Sequence, residues 1–208
     1  MRRSLIESSI VIAALSLLLA HVAFAPTSAA DEEDPHAHHR AMMKEPPATK
    51  RSIANYEIPN LTMVDQQGNK VPLRTLFDTD RPVMVNFIFT TCTAICPMMT
   101  SIFQQVQAAL GDDAKEILMV SVSIDPEQDS PEALAEYAEA FRAGPQWSFL
   151  TGSLEDSIAL QQAFRDYRGD KMNHAPVTLL RAGRESEWIR FDGFSNAKEL
   201  AAQARELM

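Results

Sequence analysis

From Tyr56 onward the chain alternates apolar runs with stretches of helical spacing, separated by turn residues. Residues 58–64 and 71–73 flank Asp65-Gln66-Gln67-Gly68-Asn69, a polar loop with glycine where a left-handed residue fits, and so predict a hairpin. A short helical turn over 73–77 comes next. Residues 82–89, rich in β-branched and aromatic types, predict a buried strand. Ile102, Phe103, Val106, Ala109 and Leu110 then recur at helical spacing until Gly111 ends the helix. A second apolar strand over 116–124 stops at Asp125-Pro126. Ser130 as cap and Pro131 at the first helical position open another helix, with Leu134, Tyr137, Ala138 and Phe141 on its inner face. Residues 147–150 predict a short strand, and 154–167 a helix whose Leu160, Phe164 and Tyr167 point inward. A strand over 176–180, a polar turn, a strand over 188–191 and a helix capped by Ser195 or Asn196 complete the pattern.

Strands alternating with helices, closed by a hairpin and a helix, describe an α/β protein with a β-α-β-α-β core and an antiparallel edge. This is a thioredoxin-like order: a central mixed sheet flanked by helices, with an N-terminal hairpin extension. No internal repeat is visible.

The first 52 residues follow another logic. Arg2 and Arg3, the apolar run 10–20 and the small residues Ser28-Ala29-Ala30 give residues 1–30 the form of an export signal, or of an N-terminal membrane anchor if it is retained. The domain is therefore expected outside the cytoplasm, in a periplasmic, oxidising compartment. Residues 31–52 hold few apolar side chains and predict a flexible linker, with residues 53–208 as the folded domain. The linker carries His36, His38, His39, Met42 and Met43, side chains that can bind copper, although a solvated polar tether explains them as well. A formal net charge of −9 argues against nucleic acid as a partner.

The chemistry concentrates at one place. Cys92 and Cys96, the only cysteines, lie four residues apart where the strand over 82–89 gives way to a helix. Unpaired N–H groups and the dipole at a helix N-terminus favour thiolate, which predicts that both thiols are reactive and titrate below the free value of about 8.5. If the helix has begun by Cys92, the i,i+4 spacing sets both sulfurs on one face with Cα atoms roughly 6 Å apart, close enough for a disulfide. The pair can therefore hold one metal ion or close on itself. Structural zinc would require further ligands that the chain does not supply.

His174 is the only histidine inside the predicted domain, in the loop entering the strand over 176–180. In a thioredoxin-like sheet that loop adjoins the cysteines, so His174 is a candidate third ligand, with a surface histidine as the bland alternative. Two thiolates and an imidazole suit Cu(I) and tolerate Cu(II).

Thr91-Cys92-Thr93-Ala94-Ile95-Cys96-Pro97, Val122-Ser123-Ile124-Asp125-Pro126 and a lone His174, 78 positions after the second cysteine, together resemble the Sco/SenC family of thioredoxin-like copper proteins. The resemblance spans about 56–208. It implies Cys92, Cys96 and His174 as copper ligands, and a copper metallochaperone for a respiratory oxidase whose partner is the copper site of subunit II. It also implies thiol-disulfide chemistry with reductants or with the target's cysteines. Many members carry Asp directly before the histidine where this chain has Asn173, which removes one carboxylate that could orient the ring. Pro176 is a second departure, standing where many members carry an apolar non-proline residue, and a cis proline as in thioredoxins is one expectation for it. A different class of function also fits: an extracytoplasmic thiol-disulfide oxidoreductase or redox sensor with Cys92 and Cys96 as its catalytic pair and no metal.

Overall fold

A computed structural model describes residues 49–208. The export-signal or anchor segment and most of the linker, with its histidines and Met42 and Met43, lie outside the described residues. The elements run β1 (Lys50–Ala54), β2 (Thr62–Asp65), β3 (Lys70–Pro72), α1 (Leu73–Phe77), β4 (Val83–Ile88), α2 (Ile95–Leu110), β5 (Leu118–Ser123), α3 (Pro131–Ala140), β6 (Trp147–Thr151), α4 (Leu154–Ala163), β7 (Val177–Arg181), β8 (Trp188–Asp192) and α5 (Ala197–Glu206). Short 3-10 turns at Gly111–Glu116 and Lys171–Asn173 interrupt the connections.

The strands form one sheet in the order β1-β8-β7-β4-β5-β6-β2-β3. β4, β5 and β6 are parallel, β7 and β8 return antiparallel beside β4, and the β2–β3 hairpin adds to the far side of β6. The hairpin, the parallel core and the antiparallel closing strands agree with the sequence pattern. β1 was not anticipated. It begins at Lys50 and pairs with β8, so it takes up the last residues of the stretch expected to be linker. Its burial is slight and its sequence polar, and only pairing with β8 makes it a strand.

All six residues of β4 are buried, because helices cover both faces of the sheet. The pleat divides them between two cores. Asn86 faces α2 and α3. There Trp147 Nε1–H donates to Ser121 Oγ at 3.0 Å, and Ser121 O–H donates to Asn86 Oδ1 at 2.7 Å, within a shell that includes Phe103. Phe87 faces the opposite core, where Phe164 packs against it at 5.9 Å and against Trp188 and Tyr56 at 5.2 Å each.

α4 stops four residues earlier than its periodicity suggests. Arg165 is left-handed (φ 55°), and the backbone N–H of Asp166 bonds the Gln161 carbonyl at 2.8 Å, the six-to-one bond of a Schellman turn. Leu160 and Phe164 point inward as expected. Tyr167 does not: it is 41% exposed, because the turn swings the chain outward after it has carried Asp166 in.

Candidate metal and thiol site

β4 delivers the chain to Phe89, and the turn that follows carries both cysteines before α2 begins at Ile95 with Ala94 at its cap. Cys92 therefore precedes the helix and Cys96 sits in its first turn. The Cys92 Sγ accepts from the Cys96 N–H at 3.4 Å, and the Cys96 Sγ from the Phe89 N–H at 3.4 Å. Both thiols are free. A buried carboxylate braces the turn from behind. Asp129, fully buried, accepts from the Thr90 N–H at 3.0 Å, the Thr90 hydroxyl, and the Ser123 hydroxyl at 2.6 Å.

The two thiols differ, contrary to the expectation that both would be activated. Partial burial raises the Cys92 pKa, but the N–H groups of Cys96, Ala94 and Ile95, together with the Cys96 thiol, more than offset it, so Cys92 titrates below its ordinary range. Full burial pushes the Cys96 thiol far up, and the neighbouring Cys92 and Asp129 add to the rise. The helix-end N–H groups act on Cys92, whereas Cys96 takes the Phe89 N–H from the strand and loses far more to desolvation.

His174 follows the 3-10 turn and is buried at 8% exposure. Its Nε2 lies 3.0 Å from the Phe87 carbonyl oxygen. The placement follows from the sheet. The carbonyls of Pro82 and Ile88 accept from β5, so the alternate groups of β4, those of Phe87 and Phe89, face the β7 side. Pairing with β7 ends at Val85. Beyond that point on the same edge, the Phe87 C=O and the Phe89 N–H are taken by His174 and by the Cys96 sulfur. Two residues of strand, roughly 7 Å, separate these positions. Lys171 ties the same loop to the end of β5 through its ion pair with Asp125, and its ammonium lies 5.5 Å from the centre of the Phe89 ring.

The structure thus joins Cys92 to Cys96 and sets His174 beside them on one edge, with its ring engaged elsewhere. Among the described residues, no three His, Cys, Asp or Glu side chains are gathered into a metal cluster. No peptide bond among them is cis, the one before Pro176 included.

Asp166 is a site residue that the sequence pattern hid. Its Oδ1 accepts from Arg190 Nη2 at 3.0 Å, while its Oδ2 lies 3.9 Å from His174 Nδ1. Burial raises its carboxyl from 3.8 to about 6, against the pull of Arg190. Burial likewise lowers His174 to about 4, with the Phe87 carbonyl opposing. At neutral pH the contact is therefore a neutral imidazole beside a carboxylate, not an ion pair. Asn173 is exposed, so the carboxylate near the ring comes from Asp166 instead. Asp129 was also missed, since a loop aspartate gives no sign of burial in the sequence.

The family model described as SCO1/SenC matches residues 50–208. The chain belongs to the SCO1/SenC family. The SCO1 protein homolog of Bacillus subtilis is 34% identical over 105 residues, which cover 50% of this chain and 53% of that protein. The chain thus spans about half the length of the curated relatives it matches. Among solved structures, BsSco, described as a member of the Sco family of cytochrome c oxidase assembly proteins with a disulfide switch, superposes with a TM-score of 0.64 at 26% identity. That match covers 75% of this chain and 95% of BsSco. ScoI of Bradyrhizobium japonicum, solved with copper bound, superposes with a TM-score of 0.61 at 22% identity, over 76% of this chain and all of ScoI. These matches establish the SCO1/SenC fold, a thioredoxin-like α/β sheet.

Proposed function

We propose that this SCO1/SenC chain is a copper metallochaperone that holds Cu(I) or Cu(II) through Cys92, Cys96 and His174 and passes it to a respiratory oxidase copper site, that of subunit II. The observation that carries the reading is the occupancy of one strand edge: a sulfur on the Phe89 amide and an imidazole nitrogen on the Phe87 carbonyl, with the second sulfur on the Cys96 amide. Soft thiolates select copper, and an imidazole keeps both oxidation states acceptable. Copper binding displaces the Cys96 proton, which the buried thiol otherwise retains. His174 contributes once its Nε2 exchanges the Phe87 carbonyl for the metal. The copper-bound ScoI and the oxidase-assembly role stated for the family of BsSco support this choice of cargo and recipient. An extracytoplasmic location, with the N-terminal segment as signal or anchor, belongs to the same reading.

Titration of the reduced full chain with Cu(I) and Cu(II) tests it. One copper per chain is expected, with affinity lost in Cys92→Ser and Cys96→Ser and weakened in His174→Ala. Unchanged affinity in His174→Ala would remove the imidazole from the site.

The thiol asymmetry favours a second reading, thiol-disulfide exchange, with partly exposed Cys92 as the attacking thiolate and buried Cys96 as the resolving thiol. Disulfide reduction by the metal-free chain, undiminished by His174→Ala, would select it.

A further inference from the structure

Asp166 contributes one oxygen to the fold and leaves the other without a partner among the described residues. Its side chain is 1% exposed; Oδ1 is held by Arg190 at 3.0 Å, with Arg168 3.8 Å away. Among the described residues Oδ2 has no hydrogen-bond partner, although a buried carboxylate oxygen without one is costly. It is aimed at His174 Nδ1, 3.9 Å away, across a cavity of about 50 Å³ lined in part by Ile124, Ile158 and Gln161. The other ring nitrogen, Nε2, sits against the Phe87 carbonyl. A carbonyl only accepts, so in this arrangement Nε2 carries the proton, and Nδ1 presents a lone pair to an oxygen that can only accept as well. The ring is in the tautomer that satisfies Phe87 and leaves Asp166 unsatisfied.

Resting on the reading of His174 as a copper ligand, we propose that Asp166 is the positioning residue that selects the other tautomer when copper binds: Nδ1–H donates to Asp166 Oδ2, and Nε2 becomes the copper-binding nitrogen. A ring shift of roughly 1 Å brings the 3.9 Å gap to hydrogen-bond length, and the cavity beside the ring leaves room for it. The same shift loosens Nε2 from Phe87. The imidazole stays neutral: Nε2 gives up one proton and Nδ1 takes one. Arg190 makes the selection one-sided by holding Oδ1, so that Oδ2 alone can face the ring.

The test uses the full chain with ¹⁵N-labelled histidines, loaded with Cu(I), which is diamagnetic. His174→Ala identifies the His174 signals by their loss. Expected is a protonated Nδ1 and a deprotonated, copper-shifted Nε2. The companion variant is Asp166→Asn, whose amide oxygen must face Arg190, turning its NH2 toward Nδ1 as a donor and locking the Phe87-bonded tautomer. Copper affinity should fall about 10- to 100-fold in that variant. Copper on Nδ1 with Nε2 protonated, or full affinity in Asp166→Asn, overturns the role of Asp166 and leaves the ligand set standing. If neither His174 nitrogen responds to Cu(I) in the unaltered chain, the ligand reading falls, and this inference with it. The nitrogen spectrum does not use Asp166→Asn, so a collapse of that variant does not blunt it.

Discussion

Replacing Asp166 by Asn should unmask an acid sensitivity that the native pair conceals. The folded-state pKa of Asp166 is raised from 3.8 to about 6, so its protonation stabilises the fold below 3.8, and that stability is lost as pH rises through 6. The folded-state pKa of His174 is depressed from 6.5 to about 4, so its contribution is present above 6.5 and lost as pH falls through 4. Each displacement is roughly two pH units, worth about 3 kcal/mol at about 1.4 kcal/mol per unit. The two therefore oppose each other over nearly the same window. On acidification from pH 7 to pH 4, the wild-type pair changes stability little. Asp166→Asn retains only the histidine loss and should fall by about 2 to 3 kcal/mol more than wild type over that interval. The bare charge of Arg190 shifts the baseline of this variant without a pH dependence of its own, since guanidinium stays protonated. Urea unfolding of the metal-free, reduced protein at half-unit intervals supplies the comparison, and the titratable groups common to both proteins cancel in the difference. Parallel curves for wild type and variant between pH 7 and pH 4 would refute the reasoning. His174→Gln should deviate in the opposite direction, gaining stability relative to wild type as pH falls.

Alkylation of the native, reduced protein should modify Cys92 well before Cys96, with the reaction abolished by Cys92→Ser and retained in Cys96→Ser, as read by peptide mass. Asp129→Ala strands the Thr90 amide and hydroxyl and the Ser123 hydroxyl in the interior, and should cost about 3 kcal/mol in urea unfolding while loosening the cysteine turn; a loss under about 1 kcal/mol would show that the brace is dispensable. Phe164→Ala removes the ring shared by Tyr56, Phe77, Phe87 and Trp188, and should cost about 3–5 kcal/mol by the same assay. Copper affinity should rise with pH across the neutral range, because binding expels the Cys96 proton; a pH-independent affinity would mean that Cys96 is no ligand.

The cysteine turn shows how far local pattern reaches. Two thiols at a strand-to-helix junction could be read from spacing alone, because apolar runs and helical periodicity are properties of neighbouring residues. Their inequality could not. It comes from the 0% exposure of Cys96, set by the packing of α2 on the sheet, whereas Cys92 lies one turn earlier and stays partly exposed. His174 was legible as a candidate because it stands alone in the domain and precedes a core strand. Its actual partner, the Phe87 carbonyl, depends on where the β4–β7 ladder ends, which no residue near position 174 specifies.

Local pattern alone specified the strands that carry their own apolar signal, the helices with capping residues, the hairpin, and a candidate set of two thiols and one imidazole. Tertiary structure decided the rest: that polar Lys50–Ala54 becomes a strand by docking on β8, that α4 ends early and turns Asp166 inward while releasing Tyr167, and which thiol keeps its proton. The physical reason is common to all of these. Secondary structure follows from interactions a few residues apart, which the order of side chains encodes directly. Burial, strand-edge pairing and the fields that shift proton affinities arise between residues far apart in the chain, and exist only once the sheet has brought them together.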